Sequence, residues 1–79
     1  MIVNVTQDHI KRGIQDDMCS CPIALALLPS MGGVTVAREY VATRDHGEFD
    51  LPPEAQQFIR DFDAGWMVYP ISFEMTRRE

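Results

Sequence analysis

The segment Asp17-Met-Cys-Ser-Cys-Pro-Ile-Ala-Leu-Ala-Leu-Leu-Pro29 constrains the fold most, because it is the one stretch apolar enough to serve as a buried element. Cys21, Ala24, Leu25 and Leu28 stand at the i, i+3, i+4, i+7 positions of one helical face, and Ile23 and Leu27 carry the apolar character round the sides. A helix of this kind has to be covered by a sheet or by other helices. Pro22 has no amide hydrogen and fits the first turn, where that donor has no intrahelical partner, so Ser20 or Cys21 becomes the cap. Pro29, followed by Ser30-Met31-Gly32-Gly33, is expected to end the helix.

The rest of the chain reads as its covering. Ile2, Val3 and Val5 form a β-branched run that favours a strand, and Thr6 can cap a short helix starting at Gln7, with Asp8 in its first turn and Ile10 and Ile14 as an i, i+4 apolar pair. Gly13 weakens that helix, and Asp16 and Asp17 precede the central helix, where its dipole favours negative charge. Beyond Gly33, Val34, Val36, Arg38 and Tyr40 alternate with Thr35, Ala37, Glu39 and Val41, which predicts a strand over 34–43. Arg44-Asp45-His46-Gly47 supplies a turn, and Glu48-Phe49-Asp50-Leu51 returns as a short strand, giving a hairpin.

Pro52-Pro53-Glu54 starts a third helix whose Ala55, Phe58, Ile59 and Phe62 repeat at i, i+3, i+4, i+7, opposite Gln56, Gln57, Arg60, Asp61 and Asp63. It should stop at Ala64, with Gly65 as a left-handed cap. Met67, Tyr69, Ile71, Phe73 and Met75 then alternate with Val68, Pro70, Ser72 and Glu74 as a last strand, placed at an edge or bulge by Pro70, before a frayed tail over Thr76–Glu79. The expectation is one α+β domain over residues 1–79, in the order β-α-α-β-β-α-β, with an antiparallel or mixed sheet covered on one face by the central and third helices.

A chain of 79 residues holds one core. Such a domain buries only roughly 60 to 65 % of its unfolded surface, so a partner or a homo-oligomer is expected to support it. With 46 % hydrophobic and 24 % charged residues it is not a disordered chain. A net charge of −5 repels phosphate, which argues against direct binding of nucleic acid and suits a basic partner. Met1–Thr6 lacks the basic head and apolar core of a signal peptide, and no apolar run is long enough to span a bilayer, so a cytoplasmic location is expected. Cys19 and Cys21 are too close in sequence for an easy disulfide, and reduced thiols are expected.

Cys19 and Cys21 can be combined with His9 and His46 into a four-ligand metal set, but zinc ligand pairs usually have at least two residues between cysteines, and the histidines fall on separate elements. Buried apolar thiols, with no metal and no cofactor, are the better expectation. A thiol at a helix N-terminus can be activated, yet Asp16 and Asp17 oppose the thiolate; a small metal- or thiol-dependent regulator using Cys19 and Cys21 is kept as the alternative function. No phosphate loop or nucleophile elbow gives the histidines a task, so an enzyme is not expected. Trp66, Met67 and Tyr69 are either a binding patch or, as the burial habits of aromatics favour, a lid of core over the third helix. The acidic set Asp45, Glu48, Asp50, Glu54, Asp61 and Asp63 is either a solvated face or a surface imitating nucleic-acid phosphates, able to pair with the Arg and Lys of a DNA-binding channel.

Val5-Thr6-Gln7-Asp8-His9-Ile10, Cys21-Pro22-Ile23-Ala24-Leu25-Ala26, Leu51-Pro52-Pro53-Glu54-Ala55 and Phe58-Ile59-Arg60-Asp61-Phe62-Asp63-Ala64-Gly65 together resemble a group of small phage and prophage proteins. Its length and acidity are similar to those of anti-CRISPR inhibitors of type I systems, type I-C among them. The resemblance implies a phage-encoded inhibitor of host defence that binds the surveillance complex, a protein with a basic nucleic-acid-binding channel, and blocks target DNA. No contact residue carries over from it; the six carboxylates are the candidate partner-binding surface on their charge alone.

Overall fold

The computed structural model describes residues 1–78. In order, the elements are β1 (Ile2–Val5), α1 (Gln7–Arg12), α2 (Pro22–Met31), β2 (Val34–Val36), β3 (Tyr40–Thr43), β4 (Glu48–Asp50), α3 (Pro53–Asp63), β5 (Ile71–Glu74) and β6 (Thr76–Arg77). The chain is an α+β domain, and the expected order of elements holds, with the strand expected over 34–43 divided in two and a further strand, β6, in the expected tail. The strands form two antiparallel sheets, β1-β5 and β2-β3-β4-β6. Met75 carries the chain from one sheet to the other: its N–H donates to the Met1 carbonyl at 2.7 Å, and its side chain is buried in the core.

The strand expected over 34–43 is a hairpin. A straight strand would put Val41 on the face opposite Val34 and Val36, exposing one of the three valines. Instead the Ala37 N–H donates to the Tyr40 carbonyl at 2.8 Å, the chain turns through Ala37–Glu39, and Val41 lies opposite Val36. All three valines are then buried. The hairpin expected at Arg44–Gly47 is present, with Gly47 at φ +81.

The last strand is shorter at its start and longer at its end than the alternation implies. It begins only after Pro70, and Thr76 and Arg77, expected to fray, pair with Asp50 and Phe49 of β4. The Arg78 N–H adds a bond to the Glu48 carbonyl at 2.8 Å. The part of the frayed-tail expectation that falls on Glu79 lies outside the described residues.

Helix α2 packs against β1, β2 and α1, but with a different face from the one the spacing suggests. Ile23, Ala24 and Leu27 are buried, Leu25 is half-buried and Leu28 is 52 % exposed. Pro29 does not end it. The helix continues to Met31, where the Gly32 N–H donates to the Leu28 carbonyl at 3.0 Å. Pro29 lies on the exposed side, where water can satisfy the Leu25 carbonyl that loses its donor.

Thr6 caps α1 as expected, with His9 in the place of the usual Glu or Gln of a capping box. Its hydroxyl accepts the His9 N–H at 3.3 Å, and the Thr6 N–H donates to His9 Nδ1 at 3.0 Å. The helix stops before Ile14, which is exposed rather than paired with Ile10. Gly13 follows because a Cβ there would stand 2.6 Å from the Pro22 ring, so only glycine lets α1 end against the start of α2.

Helix α3 buries Ala55, Phe58 and Ile59, and the rings of Phe58 and Phe62 are parallel with centroids 6.4 Å apart. Its end is a Schellman motif: the Gly65 N–H donates to the Phe62 carbonyl at 3.1 Å and the Trp66 N–H to the Asp61 carbonyl at 2.9 Å. Gly65 takes φ +83, a conformation without steric penalty only for glycine.

Candidate functional site

The six carboxylates separate into groups with different partners. Glu48 and Asp50 lie on β4 and are tied to Arg78, whose Nε donates to Asp50 Oδ1 at 2.7 Å and whose Nη1 is 4.0 Å from Glu48 Oε1. The same guanidinium lies over the Tyr40 ring, 4.5 Å from its centroid. Asp45 is exposed in the turn between β3 and β4, beside Arg44.

Asp63 holds a loop. Its Oδ1 accepts the backbone N–H of Asp16 at 3.0 Å, and Asp16 sits there at φ +57. Together with Asp16, Asp17, Cys21 and Arg38 it lines a cavity of about 180 Å³. Asp17, expected to act on the dipole of α2, instead accepts the N–H groups of Cys19 and Ser20 at 2.9 and 3.0 Å and so shapes the loop before the helix.

Glu54 and Asp61 have no such ties: among the described residues neither makes an ion pair. With Gln57 and Phe58 they occupy i, i+3, i+4 and i+7 of α3, one helical face. Gln57 Nε2 donates to Asp61 Oδ1 at 2.8 Å, and the nearby Arg60 donates to Gln57 Oε1 at 2.9 Å rather than to either carboxylate. This face forms one wall of an open groove of about 370 Å³ whose other side is Met67, Val68, Tyr69 and Ile71.

The segment opposite α3 is the largest departure from expectation. Trp66, Met67 and Tyr69 are 71 %, 79 % and 71 % exposed, so Trp66 is not a lid over the core. The Schellman turn leads the chain off the helix end, and β5 does not begin until after Pro70, so residues 66–70 run over the surface. Only Val68 and the following Ile71 pack against the core. The Tyr69 hydroxyl lies 3.4 Å from the Met67 sulfur, which stands the two exposed side chains together.

The cysteines do not act as a pair. Cys19 is exposed and Cys21 is buried. Burial pushes the Cys21 thiol up from its ordinary 9.0, and the Asp63 charge adds to that, while the nearby amides of Ala24 and Ile23 pull the other way. This environment opposes an activated thiolate. His9 is engaged in the α1 cap, and His46 lies exposed in a turn with its N–H on Thr43 Oγ1 at 2.9 Å. Among the described residues no group of three or more His, Cys, Asp or Glu side chains is placed to hold a metal ion. Nor is any of the described helices long and apolar enough to cross a membrane.

Comparison with protein-family models, curated proteins and solved structures found no match to this chain.

Proposed function

We propose that this protein is a non-enzymatic inhibitor of the anti-CRISPR kind, which binds a basic nucleic-acid-binding channel of a type I surveillance complex and keeps target DNA out. The observation that carries the reading is that Glu54 and Asp61, which make no ion pair among the described residues, share a groove with the exposed Met67 and Tyr69, next in the chain to the exposed Trp66. Carboxylates without an internal cation are free to form charge-assisted bonds with a partner's Arg or Lys. Aromatic and Met side chains are the types enriched where protein interfaces bury their anchors, and their exposure in one short segment favours a protein partner over a purely solvated acidic face. A net charge of −5 adds long-range attraction to a basic channel.

The testing experiment adds purified protein to the surveillance complex before labelled target DNA, across a salt series. DNA binding should be blocked, with inhibition weakening as salt rises and lost in a Glu54→Lys/Asp61→Lys variant that still folds. Unhindered DNA binding, or equal inhibition by the reversed variant, rejects the reading. Asp63 is unsuitable for such a reversal because it holds the Asp16 amide, and Asp50 because it holds Arg78.

A further inference from the structure

We infer that the groove between α3 and residues 67–71 is an arginine-binding site for an extended or helical segment of a partner protein, and that it prefers arginine to lysine. The inference rests on the protein-binding reading above and names the side chain that the site takes. Its floor is apolar, from Phe58, Val68 and Ile71, while Glu54 and Asp61 supply charge on one wall and Tyr69 an aromatic surface on the other. That combination suits a guanidinium, which is planar and weakly hydrated, stacks on aromatic faces and pairs with carboxylates in a fork. A lysine ammonium is a compact, strongly hydrated charge that gains less from the apolar floor.

The molecule contains its own example of this chemistry. Tyr40, Glu48 and Asp50 are the same three residue types, and they hold the guanidinium of Arg78 by a 2.7 Å bond to Asp50 with its carbon 4.5 Å from the tyrosine centroid. At the α3 groove the tyrosine and two carboxylates are present, and among the described residues no arginine pairs with them. Seven residues of α-helix separate Glu54 from Asp61, about 10 Å along the axis. Two arginines two apart on an extended partner strand share one face about 7 Å apart, and their long side chains span the rest of that distance.

Trp66 is the only tryptophan in the chain and adjoins the groove residue Met67, so its emission reports on this site. The test titrates the protein with nona-arginine and with nona-lysine at equal ionic strength, following Trp66 fluorescence and, in parallel, the heat of binding. Nona-arginine should perturb the emission and bind about tenfold more tightly than nona-lysine. Tyr69→Ala and Glu54→Gln/Asp61→Asn should each abolish the preference, and Tyr69→Phe should keep it.

Equal affinity for the two peptides would overturn the inference, showing attraction by charge alone. So would a heat of binding that is unchanged in the Glu54→Gln/Asp61→Asn variant, which places the peptide elsewhere, or emission that depends on protein concentration without peptide, which puts a second copy in the groove. The inhibitor reading fails separately. Arginine preference with unhindered DNA binding supports the groove and rejects the surveillance complex as its partner, whereas DNA exclusion without arginine preference does the reverse.

Discussion

The β3–β4 hairpin and the α3 groove each present a tyrosine and two carboxylates, but the first set is filled by Arg78 and the second is open to solvent. In the hairpin the arginine arrives from the end of the chain and holds β6 beside β4, so its carboxylates serve the fold. At α3 the carboxylates pair with no cation among the described residues and share their groove with exposed Met67 and Tyr69. Equal charge therefore does not mean equal use: what separates a structural carboxylate from an available one is whether the chain brings a cation to it.

The change expected to have the largest effect tests whether the open set stands on a rigid base. Phe58 is 6 % exposed, on the same helix face as Glu54 and Asp61, and forms the floor of the groove. Phe58→Ala should cost about 3 to 5 kcal/mol, a large part of the stability of a small domain, whereas Tyr69→Ala should leave the melting temperature close to wild type. Thermal denaturation of both variants decides the matter. A stable Phe58→Ala protein would mean that the groove is a loose surface feature and not an extension of the core.

Helix α3 is the part of this contrast that local sequence makes legible. Its apolar spacing, its prolines at the start and Gly65 at the end all lie within its own residues, and the structure reproduces it to within one residue. The rotation of α2 was not legible, because Leu25 and Leu28 are as apolar as Ile23 and Leu27, and only the covering strands choose between them. The turn dividing β2 from β3 passes through Ala37-Arg38-Glu39, which carries none of the usual turn residues. Met67 and Tyr69 share the period of Phe73 and Met75, so alternation could not show that the first pair is exposed and the second buried. The pairing of Glu48 and Asp50 with Arg78 is invisible to any local pattern, since the partners meet from distant parts of the chain.

A second expectation concerns the contact of α1 with α2, the helix that packs against one strand of each sheet, β1 and β2. Gly13→Ala would place a methyl 2.6 Å from the Pro22 ring, and the shift needed to relieve it should cost about 1 to 3 kcal/mol. Urea denaturation measures it. A neutral result would show that α1 can move without loss and is not part of the scaffold under the groove.

Smaller still is the effect of emptying the filled set. Arg78→Ala should cost about 1 kcal/mol, since the ion pairs are solvent-exposed and the stacking on Tyr40 adds only a modest amount. Hydrogen exchange at β6 should rise with it, because Arg78 anchors that edge. If neither changes, the hairpin set is as idle as the α3 set in the absence of a partner, and the distinction between them disappears.

The smallest expected effect sharpens the comparison most. Asp61 lies in the last turns of α3, where the carbonyl end of the helix carries partial negative charge and disfavours a carboxylate. Its side chain accepts one bond from Gln57 and holds no loop, unlike Asp63. Asp61→Asn should therefore raise stability by about 0.3 kcal/mol, or leave it unchanged, shifting the melting temperature by about 1 to 2 °C. Asp63→Ala, which leaves the Asp16 amide without its acceptor, should lower stability by about 1 kcal/mol under the same conditions. That pair of results would mark Asp61 as a carboxylate that the fold does not need, available to the external cation proposed above. Paired melting curves in low salt test this, and a destabilised Asp61→Asn protein would show that Asp61 serves the fold after all, leaving Glu54 as the one groove carboxylate without a structural task.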